Sequence, residues 1–366
     1  MLFSLTLPEV IRFGRGVRFQ LPGLLPQGRI LFVSGRHGEA EIIRDMFPLL
    51  GSDRCTVFTI PAGEPELSTL DEILDLTRKI HFSAIVGWGG GSAMDLAKAV
   101  AALFGEDAPA AEYFYGRRQA KNRSIFLAEI PTTAGTGAEI TANAVLTDSA
   151  TGIKQSLRTG NMAADAALVD PELVQSCPRH IMASSGFDAL TQAVESFTSL
   201  KADTLTRSIA QTAVRDILLA LEDACRGRNE AVDAVTRGCM NTAIAFSRSG
   251  LGAVHGIAHP LGSLLKIPHG ICCAVLLPEI LKYNTARVPE LYAALAAATG
   301  FPTAEQLISA IEKCQRALDI PENFKNWHLG KEHYSFIIAN CRSGSMKCNP
   351  VHLTDDDVAG ILERLS

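Results

Sequence analysis

Three histidines lie close together in the second half of the chain, in the segment GLGAVHGIAHPLGSLLKIPHG. His255 and His259 are four residues apart, which places both imidazoles on one face of a predicted helix. His269 follows a proline at the start of the next predicted helix. A single histidine among apolar residues is most simply a core or capping residue, but three at this spacing favour metal binding or catalysis.

A metal also needs an anionic ligand, and Asp188 in SSGFDALTQAVESF is the candidate. It is a carboxylate on a predicted helix of largely small or apolar residues, and Gln192 lies one turn later. The alternative is a favourable charge near the helix N-terminus, after Ser184 and Ser185. Together with the histidines, Asp188 predicts a cation site in this half of the chain.

A glycine-rich turn in the first half is the candidate phosphate-binding site. SAIVGWGGGSAMDLAKAV places small residues between a predicted strand and a predicted helix, namely Gly87, Gly89, Gly90, Gly91 and Ser92. Backbone N–H groups at a helix N-terminus can hold a phosphate, and glycine lets the backbone approach it closely. Ser92 replaces the third glycine of the Rossmann spacing, so a turn that binds nothing remains an alternative, with Asp95 and Lys98 as solvated charges.

A second polar loop, PTTAGTGAEITANAV, follows the next predicted strand. Thr132, Thr133 and Thr136 stand there among small residues. Hydroxyl groups and glycines suit a dinucleotide cleft, although threonine-rich loops are common in ordinary turns.

The elements that position these residues differ between the two halves. Strand-like runs at 29–35, 55–60 and 125–131 alternate with helical patterns, which predicts an α/β unit with a largely parallel sheet. Residues 142–158 predict two strands around the turn Ser-Ala-Thr-Gly, and 166–170 predict a last short strand.

From 178 to 283 the apolar residues follow helical spacing, with few strand-like alternations. We therefore place a boundary near Cys177, between an α/β domain at 1–176 and an all-helical domain at 177–366. The polar stretch RSGSMKCNP at 342–350 predicts a solvated loop before a final helix.

Composition narrows the function classes. The 366 residues suffice for about two domains, and 47% hydrophobic with 20% charged residues is typical of globular proteins. A net charge of -5 indicates no binding of nucleic acid or an anionic membrane. We expect no signal peptide and no membrane span. The nine cysteines are scattered, the only close pair being the adjacent Cys272 and Cys273, and they favour a reduced, cytoplasmic compartment.

Four segments, in this order, resemble the signatures of the iron-containing (group III) alcohol dehydrogenases: GWGGGSAMDLAK, PTTAGTGAE, GFDALTQAVES and GAVHGIAHPLGSLLKIPHG. The similarity spans nearly the whole chain, and the paired-histidine segment is its most specific part. It implies an α/β dinucleotide-binding domain followed by an all-α domain, the architecture shared with dehydroquinate synthase. It also implies hydride transfer between NAD(P) and a metal-bound alcohol or aldehyde, in an enzyme that is commonly a dimer.

The resemblance also implies a ligand set for a divalent metal, iron or zinc. The ligands would be Asp188, Gln192, His255 and His269, and His259 would be the further histidine beside the reaction centre. From its place four residues past His255, we add the hypothesis that His259 relays a proton. Gln192 departs from the family, which has histidine there, so the metal is expected to be weakly bound. Glu195, near the same helix face, is a substitute ligand to consider.

For the coenzyme, the resemblance implies contacts from the glycine turn, the threonine loop and one lysine. These residues are Gly89, Gly90, Gly91, Ser92, Asp95, Thr132, Thr133, Thr136 and Lys154. Asn143 would lie near the substrate.

The end of the first predicted strand bears on the choice between NAD(H) and NADP(H). RILFVSG ends at Gly35, followed by Arg36, where NAD-preferring members of the family tend to carry aspartate. Without a carboxylate, a 2′-phosphate meets no repulsion and Arg36 can pair with it. The sequence therefore predicts that NADP(H) is used at least as well as NAD(H).

Three other functions remain open at this point. A lyase similar to 3-dehydroquinate synthase would use its nicotinamide only transiently, and a metal-free reductase of the maleylacetate type would need no cation. A non-catalytic nucleotide-binding protein is favoured by Gln192 alone. Whatever the activity, residues 2–14 predict an extended strand whose edge needs covering, which favours a homodimer.

Overall fold

A computed structural model of the chain describes residues 4–366. These residues divide into two compact units. One comprises residues 5–133 and 137–176, and the other comprises Ser4, 134–136 and 177–366. Within 4–366, no helix is long and apolar enough to cross a membrane.

The first unit contains the strands. They are β1 (Val10–Phe13), β2 (Ile30–Ser34), β3 (Cys55–Thr59), β4 (Ala84–Gly89), β5 (Phe126–Pro131), β6 (Ala144–Asp148), β7 (Ile153–Leu157) and β8 (Ala166–Val169). The helices of this unit are α1 (Arg36–Asp45), α2 (Phe47–Leu50), α3 (Leu67–Lys79), α4 (Gly91–Ala102), α5 (Ala110–Phe114) and α6 (Pro171–Gln175), with a 3-10 helix at Val17–Gly23.

Six of the described strands form one parallel sheet in the order β1-β8-β5-β4-β2-β3. The predicted α/β fold class is therefore confirmed. β2 and β4 are buried along their whole length, as expected for parallel strands covered on both faces. Their continuous apolar sequences, ILFVS and AIVGWG, reflect that double burial.

The core of this unit lies on both faces of the sheet. Successive side chains of a strand point to opposite faces, so β2 contributes to both sides. Leu31 and Val33 belong to one apolar cluster, together with Leu96 of α4. Ile30 and Phe32 belong to the other.

β6 and β7 form a separate antiparallel hairpin, as predicted for residues 142–158. Asp148 pairs with Ile153 across a loop formed by Ser-Ala-Thr-Gly. Gly152 has φ +72°, a conformation that favours glycine, and the Asp148 Oδ1 accepts a hydrogen bond from the Ala150 N–H.

The second unit is built from helices, which confirms the predicted all-helical class of the second half. They are α7 (Arg179–Thr198), α8 (Thr204–Ala224), α9 (Asn229–Ser249), α10 (Ala253–Leu265), α11 (His269–Thr285), α12 (Pro289–Thr299), α13 (Ala304–Ala317), α14 (Lys331–Asn340) and α15 (Asp355–Leu365), with 3-10 turns at Lys325–Trp327 and Met346–Cys348. α7 packs against α8, α9 and α11, and it is buried continuously from 186 to 198.

The prediction of a solvated loop at 342–350 is wrong. Met346, Cys348 and Asn349 are buried, and a short 3-10 turn forms there. Asn349 Oδ1 accepts hydrogen bonds from the Ala253 N–H at 3.2 Å and the Asn284 side chain at 3.1 Å. The segment therefore packs against the start of α10, a long-range contact that local polarity does not reveal.

The sheet also buries acidic groups. Glu129 on β5 pairs in register with Gly87 on β4 and is fully buried. Neither carboxyl oxygen of Glu129 has a hydrogen-bond partner among residues 4–366, and burial raises its pKa well above the usual value. A Cβ at residue 87 would lie 2.2 Å from Glu129 Oε2 and 2.9 Å from the Cβ of Ala97, so only glycine fits beside Glu129.

Glu139 makes folding stability depend on pH. Burial raises its pKa from 4.5 to about 7 in the folded protein, so the folded state keeps a proton that the unfolded chain loses within this range. The free energy of unfolding then falls as pH rises from about 4.5 to 7, by about 3 kcal/mol for this group. Because glutamine cannot ionise, Glu139→Gln should flatten this decline.

Urea unfolding of both proteins between about pH 5 and pH 8 measures the effect. Glu72→Gln, at an exposed site on α3, is the matched control and should unfold with the pH dependence of the original chain. Parallel curves for Glu139→Gln and the original chain would contradict this assignment.

Candidate functional site

The polar residues of α7 define the candidate metal site. Asp188, Gln192 and Glu195 are spaced by four and three residues, which places them on one face of a buried helix. The hydroxyl groups on α7 are already satisfied: Thr191 and Ser196 each donate to the carbonyl one turn earlier, at 2.8 and 2.6 Å. The two carboxylates and the amide must find partners elsewhere, because a buried polar group without one destabilises the fold.

Glu195 finds its partners at the start of α10. Its Oε1 accepts hydrogen bonds from the N–H groups of Val254, at 2.7 Å, and His255, at 3.4 Å. Its Oε2 lies 2.6 Å from His255 Nδ1. The carboxylate therefore caps the helix and also holds the imidazole. Gly252 permits this approach, since a Cβ there would lie 2.8 Å from Glu195 Oε1.

The contact with Glu195 directs the other nitrogen of His255 into the site. A carboxylate accepts, so Nδ1 donates to Glu195 and Nε2 is left to face the site. That Nε2 lies 3.2 Å from Asp188 Oδ1. An imidazole oriented by a carboxylate behind it is the usual arrangement around a protein-bound metal ion.

α11 brings two more donors to Asp188. His269 Nε2 lies 3.6 Å from Asp188 Oδ1, and Cys273 Sγ lies 3.6 Å from His269 Nε2 and 3.8 Å from His255 Nε2. One ligand atom from each of these four residues lies within 4.8 Å of all the others. Gly270 allows the close approach of the two helices, because a Cβ there would lie 2.2 Å from the backbone oxygen of Ser184.

The electrostatics of this cluster favour a cation. Burial alone would raise the pKa of Asp188, but the attraction of His269 and the hydrogen bond from His255 lower it to about 2. Burial would lower the pKa of His255, but the acidic groups of Cys273, Glu195 and Asp188 raise it well above its usual value. Burial raises the pKa of Cys273 to about 12. The site thus keeps an anionic carboxylate where positive charge is stabilised.

The donor set fits a divalent metal ion. A carboxylate, two imidazoles and a thiol are the ligands of borderline ions such as zinc and iron. Gln192 Oε1 adds an independent indication, since it is buried one turn from Asp188 and has no hydrogen-bond partner within the described chain. An orphaned acceptor of this kind costs about 1–3 kcal/mol unless a ligand meets it.

Of the predicted metal ligands, the structure brings together Asp188, His255 and His269, with Gln192 on the same helix as Asp188. Glu195 contacts His255 instead of completing the cluster. Sequence reasoning missed Cys273, although it follows His269 by four residues, the same spacing that drew attention to His255 and His259. His259 is exposed and stacks on His269, with ring centroids 5.2 Å apart.

In the first unit, the glycine turn and the start of the threonine loop are neighbours. The Thr132 N–H donates to the Gly89 carbonyl at 2.9 Å, and a Cβ at Gly90 would lie 3.4 Å from Thr133 Oγ1. Both follow the carboxyl ends of adjacent parallel strands, β4 and β5, where open α/β sheets bind their ligands. Gly91 is the first residue of α4.

The loop at 61–66 borders the same turn. Ser92 Oγ donates to the Gly63 carbonyl at 2.8 Å, and Lys154 on β7 forms an ion pair with Glu64 at 2.6 Å. Asn143, just before β6, donates to Ser156 Oγ at 3.0 Å. Thr136 is exposed and groups with the helical unit.

Asp95 and Lys98 are not solvated surface charges. Lys98 is 1% exposed and donates to the Ala138 carbonyl at 2.8 Å, and its Nζ lies 3.0 Å from Asp95 Oδ1. The other oxygen of Asp95 accepts from the Val145 N–H at 3.1 Å. Asp95 therefore ties α4 to Lys98 and β6.

The turn after β2 lies beside the turn after β4. Ser34 Oγ donates to the Trp88 carbonyl at 2.6 Å, and a Cβ at Gly89 would lie 3.8 Å from the Gly35 nitrogen. Gly35 precedes α1, and Arg36, its first residue, is exposed.

Comparison with known proteins covers both units. Residues 8–171 match the family model described as iron-containing alcohol dehydrogenase, and residues 182–366 match the C-terminal model of the Fe-containing alcohol dehydrogenase family. The 1-propanol dehydrogenase PduQ of Salmonella typhimurium is 32% identical over 346 residues, which cover 89% of this chain and 88% of the relative. The NADPH-dependent butanol dehydrogenase of Clostridium saccharobutylicum is 28% identical over 99% of this chain and 97% of its own. Sulfoacetaldehyde reductase from Bifidobacterium kashiwanohense, solved in complex with NAD+, superposes with a TM-score of 0.91 at 27% identity, covering 100% of this chain and 99% of its own.

Proposed function

We propose that this chain, which belongs to the iron-containing alcohol dehydrogenase family, carries out its chemistry at the cluster on α7, α10 and α11. It is an NAD(P)-dependent alcohol dehydrogenase, and its family uses a divalent metal together with the coenzyme. The reaction moves a hydride between the nicotinamide and a small alcohol or aldehyde. The convergence of Asp188, His255 and His269 on one point carries the proposal.

Each half of the chain has its own task in this proposal. Residues 1–176 bind the coenzyme, because the glycine turn and the threonine loop start at the carboxyl edge of the parallel sheet. Residues 177–366 bind the metal and the substrate, since all the clustered donors belong to that segment.

Asp188, His255 and His269 would hold the metal ion, with Gln192 as the fourth ligand that the family resemblance implies. When bound, the cation supplies Lewis acidity toward a substrate oxygen, and the nicotinamide supplies hydride chemistry. Glu195 fixes the His255 ring through Nδ1, so that Nε2 faces Asp188. The burial of Asp188 and His255 keeps water from competing for these contacts.

His259 exchanges the alcohol proton with solvent. Its ring stacks on His269 and its side chain is exposed, so one of its imidazole nitrogens can take the proton and pass it to water. In the reverse direction the same nitrogen returns a proton to the nascent alcohol.

For the coenzyme, the backbone of the turn at 89–91 binds the pyrophosphate at the N-terminus of α4. Ser92 and Asp95 belong to this region, Asp95 by fixing Lys98 and β6. Thr132, Thr133 and Thr136 line the nucleotide, Lys154 reaches the ribose and Asn143 lies near the substrate.

We propose a cytoplasmic location, which the nine free cysteines support.

The family match is to alcohol dehydrogenases, which argues against a lyase similar to 3-dehydroquinate synthase. The metal-free reductase remains the second candidate, because Gln192 replaces an imidazole with a weaker amide donor.

Metal dependence tests the proposed function. We expect chelator-treated enzyme to lose activity and to regain it with a divalent ion, and His255→Ala and His269→Ala to stay inactive. His180→Ala, at an exposed position on α7, is the matched control and should behave like the original enzyme.

Because glutamine is a weak ligand, the Gln192→His variant should bind Fe²⁺ more tightly than the original enzyme does, by about 10-fold or more. Chelator competition measures this affinity.

Full activity after chelation, together with full activity of both alanine variants, would reject the metal mechanism. The metal-free reductase would then take its place.

Coenzyme choice tests the role of the turn after β2. We expect NADP(H) to be used at least as well as NAD(H), because Arg36 can pair with the 2′-phosphate. A Cβ at Gly35 meets no atom within 4 Å, so Gly35→Asp is sterically tolerated. It should lower kcat/KM for NADP(H) by about 10-fold or more through charge repulsion.

Arg36→Ala supplies the control, since it should weaken the use of NADP(H) while leaving NAD(H) unaffected. A strong preference for NAD(H) that Gly35→Asp does not change would contradict the assignment.

We also propose a homodimer. β1 lies at one end of the sheet order and Phe13 is 36% exposed, which leaves an edge suited to pairing with a second copy. Residues 2 and 3 of the predicted amino-terminal strand lie outside the described residues. Light scattering at micromolar concentration should give twice the mass of one chain, and a monodisperse monomer would contradict the proposal.

A further inference from the structure

Cys273 is a member of the candidate metal cluster. Neither the sequence patterns nor the family resemblance gave it a role as a ligand. It follows His269 by one helical turn on α11, so both side chains lie on one face. Its Sγ is buried and lies 3.6 Å from His269 Nε2 and 3.8 Å from His255 Nε2. The neighbouring Cys272 has its Sγ 4.0 Å from the Ile267 carbonyl.

Gln192, one turn after Asp188 on α7, makes the thiol significant. An amide oxygen is a poorer donor for a borderline ion than an imidazole nitrogen or a thiolate. Gln192 Oε1 is also buried without a hydrogen-bond partner in the described chain, so no other contact accounts for it. The candidate ligands therefore include a weak donor at residue 192 and an unassigned strong donor at residue 273.

We propose that the Cys273 thiolate is a metal ligand of this enzyme, joining Asp188, His255 and His269 in a donor set that selects zinc over iron. The inference rests on the proposed function, because it concerns the same metal site. On coordination the Cys273 thiol loses its proton to solvent and its sulfur binds the ion. A thiolate adds a second negative charge beside Asp188 and favours zinc or cobalt over magnesium or manganese.

Cobalt substitution reports thiolate ligation without measuring activity. Full-length protein is treated with a chelator, loaded with Co²⁺ and scanned from the near-ultraviolet to the visible. A thiolate ligand produces an intense sulfur-to-cobalt charge-transfer band in the near-ultraviolet, whereas nitrogen and oxygen ligands give only weak visible bands. We expect the band in the original protein and in Cys272→Ser, the matched control, and its loss in Cys273→Ser.

Chelator competition then measures selectivity. Cys273→Ser should weaken Zn²⁺ binding by about 10-fold or more and Fe²⁺ binding by less, while Cys272→Ser changes neither. Circular dichroism verifies that both variants are folded. If Cys273→Ser does not fold, the spectrum of the original protein still decides whether a thiolate is bound.

Three results would overturn the inference, and they bear differently on the proposed function. Bound Co²⁺ without a charge-transfer band, or a band that persists in Cys273→Ser, removes Cys273 from the ligand set but leaves the metal-dependent dehydrogenase standing. A protein that binds none of Co²⁺, Zn²⁺ and Fe²⁺ rejects both the ligand and the metal mechanism.

Discussion

The carboxylate of Glu195, on the buried helix α7, accepts two hydrogen bonds from the first turn of α10 and one from the His255 ring. This single carboxylate sets the position of α10 relative to α7, the orientation of the His255 ring and the direction of its Nε2. Without Glu195, two backbone N–H groups and the Nδ1 of His255 would be buried without these partners. The geometry of the remaining donors depends on this contact, because His255 Nε2 is the atom that Asp188 and Cys273 face.

The helices around α7 make this arrangement rigid. Residues 186–198 are all buried, so the polar atoms on that stretch must be satisfied within the protein or by a bound ligand. Hydroxyl groups meet the requirement locally, by donating to the preceding turn of the helix. The longer polar side chains cannot do so, and they make the enclosed helix face a candidate binding site.

Much of the fold follows from local sequence patterns. Continuous apolar runs predicted the parallel strands, and helical spacing predicted α7, α9 and the final helix, because burial on known faces imposes these periods. The paired histidines and Asp188 were likewise predicted, since side-chain type and i, i+4 spacing determine a shared helix face.

The remainder depends on contacts between distant segments. Nothing near Asn349 indicates that it meets Ala253, and nothing near Lys98 indicates that its ammonium group lies beneath the loop at 138–141. Cys273 belongs to the candidate metal cluster because Gly270 lets α11 pack closely against α7 at Ser184. Tertiary packing fixes these contacts. The local spacing of apolar and polar residues in one sequence does not reveal them.

The fit between Gly87 and Glu129 constrains how this sequence can diverge. Any side chain at residue 87 collides with both Glu129 and Ala97. A larger residue at position 87 therefore fits only after a shorter residue has replaced Glu129 and α4 has moved away at residue 97. The three positions should therefore change in a definite order over evolutionary time. Relatives that lack the buried acid would be free of the restriction, whereas lineages that keep it would retain glycine on the neighbouring strand.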